Sequence, residues 1–168
     1  SILDPRVVGH GSGGADHRGV LAIYSLSKQS NLAGYRAAFL AGDPGIVSRL
    51  LTVRKHAGLM LPAPVQAAMA AVLGDEDHVA HQRALYGVRR DVLRPALEAA
   101  GYRVEGSEAG LYLWATRGVD AWQSVAEFAE RGIVVGPGHF YGSNSHDHVR
   151  LALTASDDAV SAAARRIT

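Results

Sequence analysis

Short apolar runs alternate with longer stretches of helical spacing along this chain, and a chain built that way folds as helices layered on sheet, an α/β architecture. Val20–Ser25 is an apolar run with polar flanks and predicts a buried strand. Arg36–Ala41 predicts a second strand, closed by Gly42. Asp43-Pro44 supplies a capping carboxylate and a proline at the first helical position, and Ile46, Val47, Leu50 and Leu51 follow at helical spacing as far as Gly58. Pro62 and Pro64 open a further helix with Val65, Ala68, Met69 and Val72 on one face. A long helix is predicted from about Asp77 to Ala100, stopped by Gly101. Beyond it the pattern predicts strands at Leu111–Ala115, Ile133–Val135 and His148–Leu153, and helices at Ala121–Glu130 and Ser156–Arg166. The Gly-, Ser- and His-rich stretch Gly9–Asp16 reads as a loop, without the Lys-Ser or Lys-Thr that a phosphate-binding glycine loop requires.

Composition narrows the function classes. A net charge of +1 gives no basic field for nucleic acid and no acidic tail. The absence of cysteine excludes a disulfide scaffold and a thiolate nucleophile, and is compatible with a reducing cytoplasm. No apolar run approaches the roughly 20 residues of a membrane span, and Ser1–His10 lacks the pattern of a signal peptide. A cytoplasmic protein is therefore expected.

The chemistry concentrates in Ser25-Leu26-Ser27-Lys28-Gln29-Ser30-Asn31-Leu32-Ala33-Gly34-Tyr35-Arg36. A lysine directly after an apolar strand is expected near a partly buried site, where desolvation favours the neutral amine that attacks an aldehyde. Hydroxyls at Ser25 and Ser27 and the guanidinium of Arg36 are the donors a phosphate wants beside it. Each of these residues, taken singly, reads first as a solvated side chain in a turn.

The whole pattern, Ser-x-Ser-Lys with Gly six and Arg eight residues after the lysine, resembles the pyridoxal 5'-phosphate (PLP) attachment site of class I and II aminotransferases. The resemblance implies that Lys28 holds the cofactor as a Schiff base and moves a proton between the substrate α-carbon and the cofactor C4′. It implies that Ser25, Ser27 and Arg36 bind the cofactor, with Ser25 and Arg36 on its phosphate. A second block, Gly132–Gly142 followed by Val149-Arg150-Leu151-Ala152-Leu153, is similar to the family's small-domain segment, in which a Pro-Gly turn and a Phe-Gly-like pair lead to an arginine-bearing strand. By that match Arg150 grips the substrate α-carboxylate. Tyr112, in Gly110-Leu111-Tyr112-Leu113-Trp114, matches a pocket-lining aromatic, and reads equally as core. Arg54-Lys55-His56 matches a region that reaches toward a partner subunit's site, or else is a solvated helix end. His139, His146 and His148 lie among Ser, Asn and Gly and read as a polar loop; no metal is expected.

Within the family, Ser25–Phe39, Val53–Gly58, Val65–Met69 and Ala109–Thr116 look most like the actinobacterial N-succinyldiaminopimelate aminotransferases of lysine and cell-wall biosynthesis. That implies glutamate as amino donor and a succinylated amino-oxo-pimelate as acceptor, both small-molecule substrates. It also implies a homodimer. The expected division is a C-terminal portion of the large PLP-binding domain over residues 1–85 and a small α/β domain over 86–168. The family also supplies an acid to the pyridine nitrogen, an aromatic over the ring and a glycine-rich helix start, none of which has an equivalent ahead of Lys28. The expectation is a C-terminal half, inactive or poorly soluble without its N-terminal half, with the apolar faces of Val20–Ser25 and Arg36–Ala41 exposed. Other readings are a PLP-binding, non-catalytic module of a transcription regulator, an aminotransferase with another substrate, or an α/β domain in which the Lys28 block is coincidence.

Overall fold

A computed structural model describes residues 1–11 and 14–168, arranged as two compact units, Ser1–Val79 and Ala80–Thr168. Among the described residues every strand pairing is antiparallel.

The first unit opens with a single helical turn, α1 (Pro5–Val8), capped by Asp4. Strands β1 (His10–Gly11) and β2 (Gly14–Ala15) pair briefly where the sequence predicted only loop; Ser12 and Gly13 lie outside the described residues. Strand β3 (Leu21–Ser25) pairs with β4 (Ala38–Gly42), from Leu21 opposite Gly42 to Ser25 opposite Ala38. The second strand starts two residues later than expected. Arg36 has a left-handed backbone (φ 52°) that closes the 3-10 turn Ala33–Tyr35, so the chain becomes extended only beyond it. Helix α2 (Leu26–Gln29) follows β3 directly. Asp43 caps α3 (Pro44–His56) through the N–H groups of Gly45 and Ile46, and also accepts from Gly19 N–H at 2.8 Å. One carboxylate thus ties the entry of β3 to the exit of β4, and these N–H donors, Gly19 first, hold its carboxyl below the usual range. Helix α4 (Ala63–Leu73) places Met69 against Leu26 and Ala37, with Leu32, Phe39, Leu61, Val65 and Val72 packed around them. That cluster is the whole buried core of the unit among the described residues.

The second unit is better filled. Helix α5 (Asp77–Ala99), which begins in the first unit, leads to a four-stranded sheet ordered β5 (Arg103–Glu105), β6 (Tyr112–Thr116), β8 (His148–Ala152), β7 (Gly136–Pro137). Strand alternation sends Val104, Leu113, Ala115, Val149 and Leu151 to one face. There they join Leu93 and Leu97 of α5, Ala121 and Phe128 of α6 (Ala121–Glu130), and Val160 and Ile167 of α7 (Asp157–Ile167). The predicted strand at Ile133–Val135 is absent: those residues are unpaired, Val134 is almost wholly exposed, and pairing begins only at Gly136 opposite Arg150. Pro137, with no N–H to donate, limits that edge strand to two residues. The strand β5 had no forecast in the sequence.

Candidate active site

Two groups of side chains carry chemistry, one in each unit.

In the first unit, Ser25 ends β3 and caps α2. Its hydroxyl oxygen accepts from Ser27 N–H at 3.2 Å, and its hydroxyl donates to Ser27 Oγ at 2.9 Å. Leu26 is fully buried and pins the turn, while Leu32 N–H returns to Leu26 C=O at 3.3 Å. Beyond Lys28, Ser30 Oγ lies 3.0 Å from His78 Nε2, and the Tyr24 hydroxyl donates to Gln29 Oε1. Ala37 is also buried, in the same cluster as Leu26. Because Ser25 stands opposite Ala38, the two buried anchors draw Ser25–Lys28 and Arg36 to one end of the β3–β4 ladder. Lys28 differs from expectation. It is exposed, because the inward position of this helical turn belongs to Leu26. Arg36 donates to Ala33 C=O at 3.0 Å and has no carboxylate partner among the described residues. An arginine in the left-handed region is uncommon and costs free energy, a condition that clusters at ligand-binding positions. Two hydroxyls, an amine and an uncompensated guanidinium at one strand end fit a phosphate-bearing aldehyde.

In the second unit, the sheet face opposite the core carries Glu105, Tyr112, Trp114, His148 and Arg150, all partly exposed. Arg150 stands opposite Trp114 on β6 and Gly136 on β7. Its guanidinium lies 4.0 Å from the centre of the Tyr112 ring and 5.1 Å from that of Tyr141. Among the described residues it makes no ion pair and no side-chain hydrogen bond. A half-buried cation held by two π faces keeps its N–H fork free for an incoming carboxylate. Gly138 fixes the turn that brings Tyr141 there: a Cβ on it would meet Ser145 C=O at 1.8 Å and His148 C=O at 2.7 Å, so no other residue fits without backbone movement.

His148 stands at the start of the predicted strand, not in the polar loop read around the three histidines. It begins β8, stacks on Trp114 with ring centres 5.0 Å apart, and sets Nδ1 2.8 Å from Asp147 and Nε2 3.2 Å from Glu105. His139 lies 3.2 Å from Asp120, and His146 packs on its own turn. Arg54, Lys55 and His56 form the last turn of α3, where cations suit the helix C-terminus. Among the described residues no helix is long and apolar enough to cross a membrane.

The family model of aminotransferase class I and II matches residues 7–167. The 4-dedimethylamino-4-oxo-anhydrotetracycline transaminase OxyQ of Streptomyces rimosus is 56% identical over all 168 residues, which span 45% of its length. The probable aminotransferase Rv1178 of Mycobacterium tuberculosis is also 56% identical over the whole chain, which spans 39% of it. Among solved structures, a probable N-succinyldiaminopimelate aminotransferase from Thermus thermophilus superposes with a TM-score of 0.79 at 28% identity, over 90% of this chain and 42% of that one. This chain therefore spans less than half the length of each of these relatives.

Proposed function

Since this chain belongs to the class I and II aminotransferase family, whose members depend on PLP, we propose that it carries the lysine and the carboxylate-binding arginine of a transaminase that exchanges amino and oxo groups between small acids. The observation that carries the reading is the gathering of Ser25, Ser27, Lys28 and Arg36 at one end of the β3–β4 ladder. Bound PLP supplies an aldehyde for Schiff-base formation and an electron sink for the substrate α-carbon. Lys28 would hold the cofactor through its amine and would serve as the acid/base that moves a proton at the substrate α-carbon. Ser25, Ser27 and Arg36 would hold the cofactor's phosphate. Arg150 orients the α-carboxylate, with Tyr112 as one wall.

In this proposal residues 1–85 are the C-terminal portion of the large PLP-binding domain and residues 86–168 the small domain. An acid for the pyridine nitrogen and an aromatic over the ring come from outside these 168 residues, and the active form is a homodimer. Succinylated amino-oxo-pimelate is the proposed acceptor, with glutamate as donor. The likeness of Ala109–Thr116 to that subfamily and the Thermus structure support it. A second reading, a bulkier ketone acceptor, is favoured by the 56% identity to the tetracycline transaminase. The test is formation of 2-oxoglutarate from glutamate by the full-length protein with each acceptor. Turnover with the succinylated acid alone supports the first reading, turnover with the polycyclic ketone alone the second. No 2-oxoglutarate with any oxo acid would remove both.

A further inference from the structure

The support behind Arg150 is more elaborate than a carboxylate clamp requires. Tyr141, whose ring faces the guanidinium, meets Trp114 edge to face with ring centres 5.5 Å apart. Its hydroxyl lies beside Gly136, on the strand paired with Arg150. Trp114 in turn is stacked on His148 at an interplanar angle of 11°. His148, 12% exposed, has one ring nitrogen on Asp147 and the other on Glu105. Glu105 is also paired with Arg103, and Asp147 accepts from the buried Thr116 hydroxyl at 3.1 Å. The row Glu105/Asp147, His148, Trp114, Tyr141, Arg150, Tyr112 is thus continuous across one sheet face.

We infer that Tyr141, Trp114 and His148 are positioning residues: they form a brace that holds the Arg150 guanidinium in one plane for a substrate carboxylate, and the brace is tightest when His148 carries its second proton. The inference rests on the proposed role of Arg150. The proton dependence follows from the geometry. A doubly protonated imidazole donates to both carboxylates and offers a cation to the indole face. A neutral ring has one N–H, so its other nitrogen turns a lone pair on a carboxylate oxygen, and the stack loosens. The charged groups facing the ring are Glu105 and Asp147, with Arg103 beyond Glu105 and Arg150 two residues along β8.

The test uses the full-length holoenzyme with glutamate, measured across a pH series. The parent KM for glutamate is expected to rise several-fold with pH, and His148→Gln to flatten that rise. Trp114→Leu should raise KM about ten-fold with a smaller change in kcat, and Trp114→Phe should restore most of the loss. A KM profile unchanged in His148→Gln, or a Trp114→Leu variant that loses kcat at constant KM, overturns the brace. A second readout does not depend on activity. The emission of Trp114, taken as parent minus Trp114→Phe, should titrate with pH through quenching by the stacked imidazolium and should stop titrating in His148→Gln. A titration that persists in His148→Gln overturns the inference. Arg150→Lys separates the two layers: an unchanged KM for glutamate removes the carboxylate role of Arg150 itself, whatever the emission shows.

Discussion

The two units differ in how they use their apolar residues. In Ala80–Thr168 the sheet buries Leu113, Val149 and Leu151 against three helices, and Tyr112, Trp114, His148 and Arg150 stand on the opposite face. In Ser1–Val79 the buried set among the described residues shrinks to Leu26, Ala37 and Met69, while Ile23 is 74% exposed and Val53 62%. The same unit lines an open groove of about 710 Å³ with Phe39, Leu51, Met60 and Leu73 beside Arg36 and Arg54. Exposed apolar surface on that scale is normal for an interaction face and not for a free one. The unit that carries Lys28 is therefore the one with the smaller buried set and the more exposed apolar surface among the described residues. The unit that carries Arg150 holds its geometry from its own core.

The contrast can be broken at several points. Lys28→Ala in the full-length protein should lower kcat about ten-thousand-fold while leaving the fold of both units intact by circular dichroism; a fall of only a few-fold would place the proton transfer elsewhere. Leu113→Ala should cost about 3 kcal/mol in urea unfolding, because the side chain is wholly buried in a filled core. A smaller cost there than for Met69→Ala would reverse the comparison. Ile23→Ser should cost about 1 to 2 kcal/mol in the full-length protein if that face is covered, and close to nothing in the 168-residue chain. Equal costs in the two would show that the face is never covered.

The smallest expected effect is on pH. The carboxyls of Asp43, Glu105 and Asp147 are held below their usual range: Asp43 by backbone N–H donors, Glu105 by Arg103 and then His148, Asp147 by His148 and Thr116 against the opposing effect of its own desolvation. A depressed folded-state value means stability present above the ordinary carboxylate range and lost as pH falls through the lower folded value. Both units should weaken together below about pH 4, modestly, since these groups are open to solvent. A urea midpoint indifferent to acid, or weakening confined to one unit, would contradict this.

Most helices were legible because their ends are written locally. Asp43-Pro44 and Ser156 announce caps, and Gly101 a stop, each acting within one turn of where it stands. The Ser25–Arg36 spacing was legible as a motif, but its local shape was not. Whether Leu26 or Lys28 turns inward depends on Met69, far along the chain. Arg36 delays β4 through a left-handed backbone that no arginine advertises. Ile133–Val135 carries strand-like residues, yet its pairing is decided by the neighbouring edge and by Pro137. The row from His148 through Trp114 and Tyr141 to Arg150 was invisible for the same reason. It depends on the register of β6 with β8 and on the close approach of Gly138, both set by the folded sheet. The alternation of His148 and Arg150 along one strand was a usable clue that both occupy one face.

The most direct measurement is borohydride reduction of the full-length protein loaded with PLP, followed by peptide mapping. Phosphopyridoxyl mass is expected on Lys28 alone, diminished when Arg36 is replaced by Ala. Label spread over many lysines, or absent from Lys28 while the protein still transfers amino groups, would contradict it.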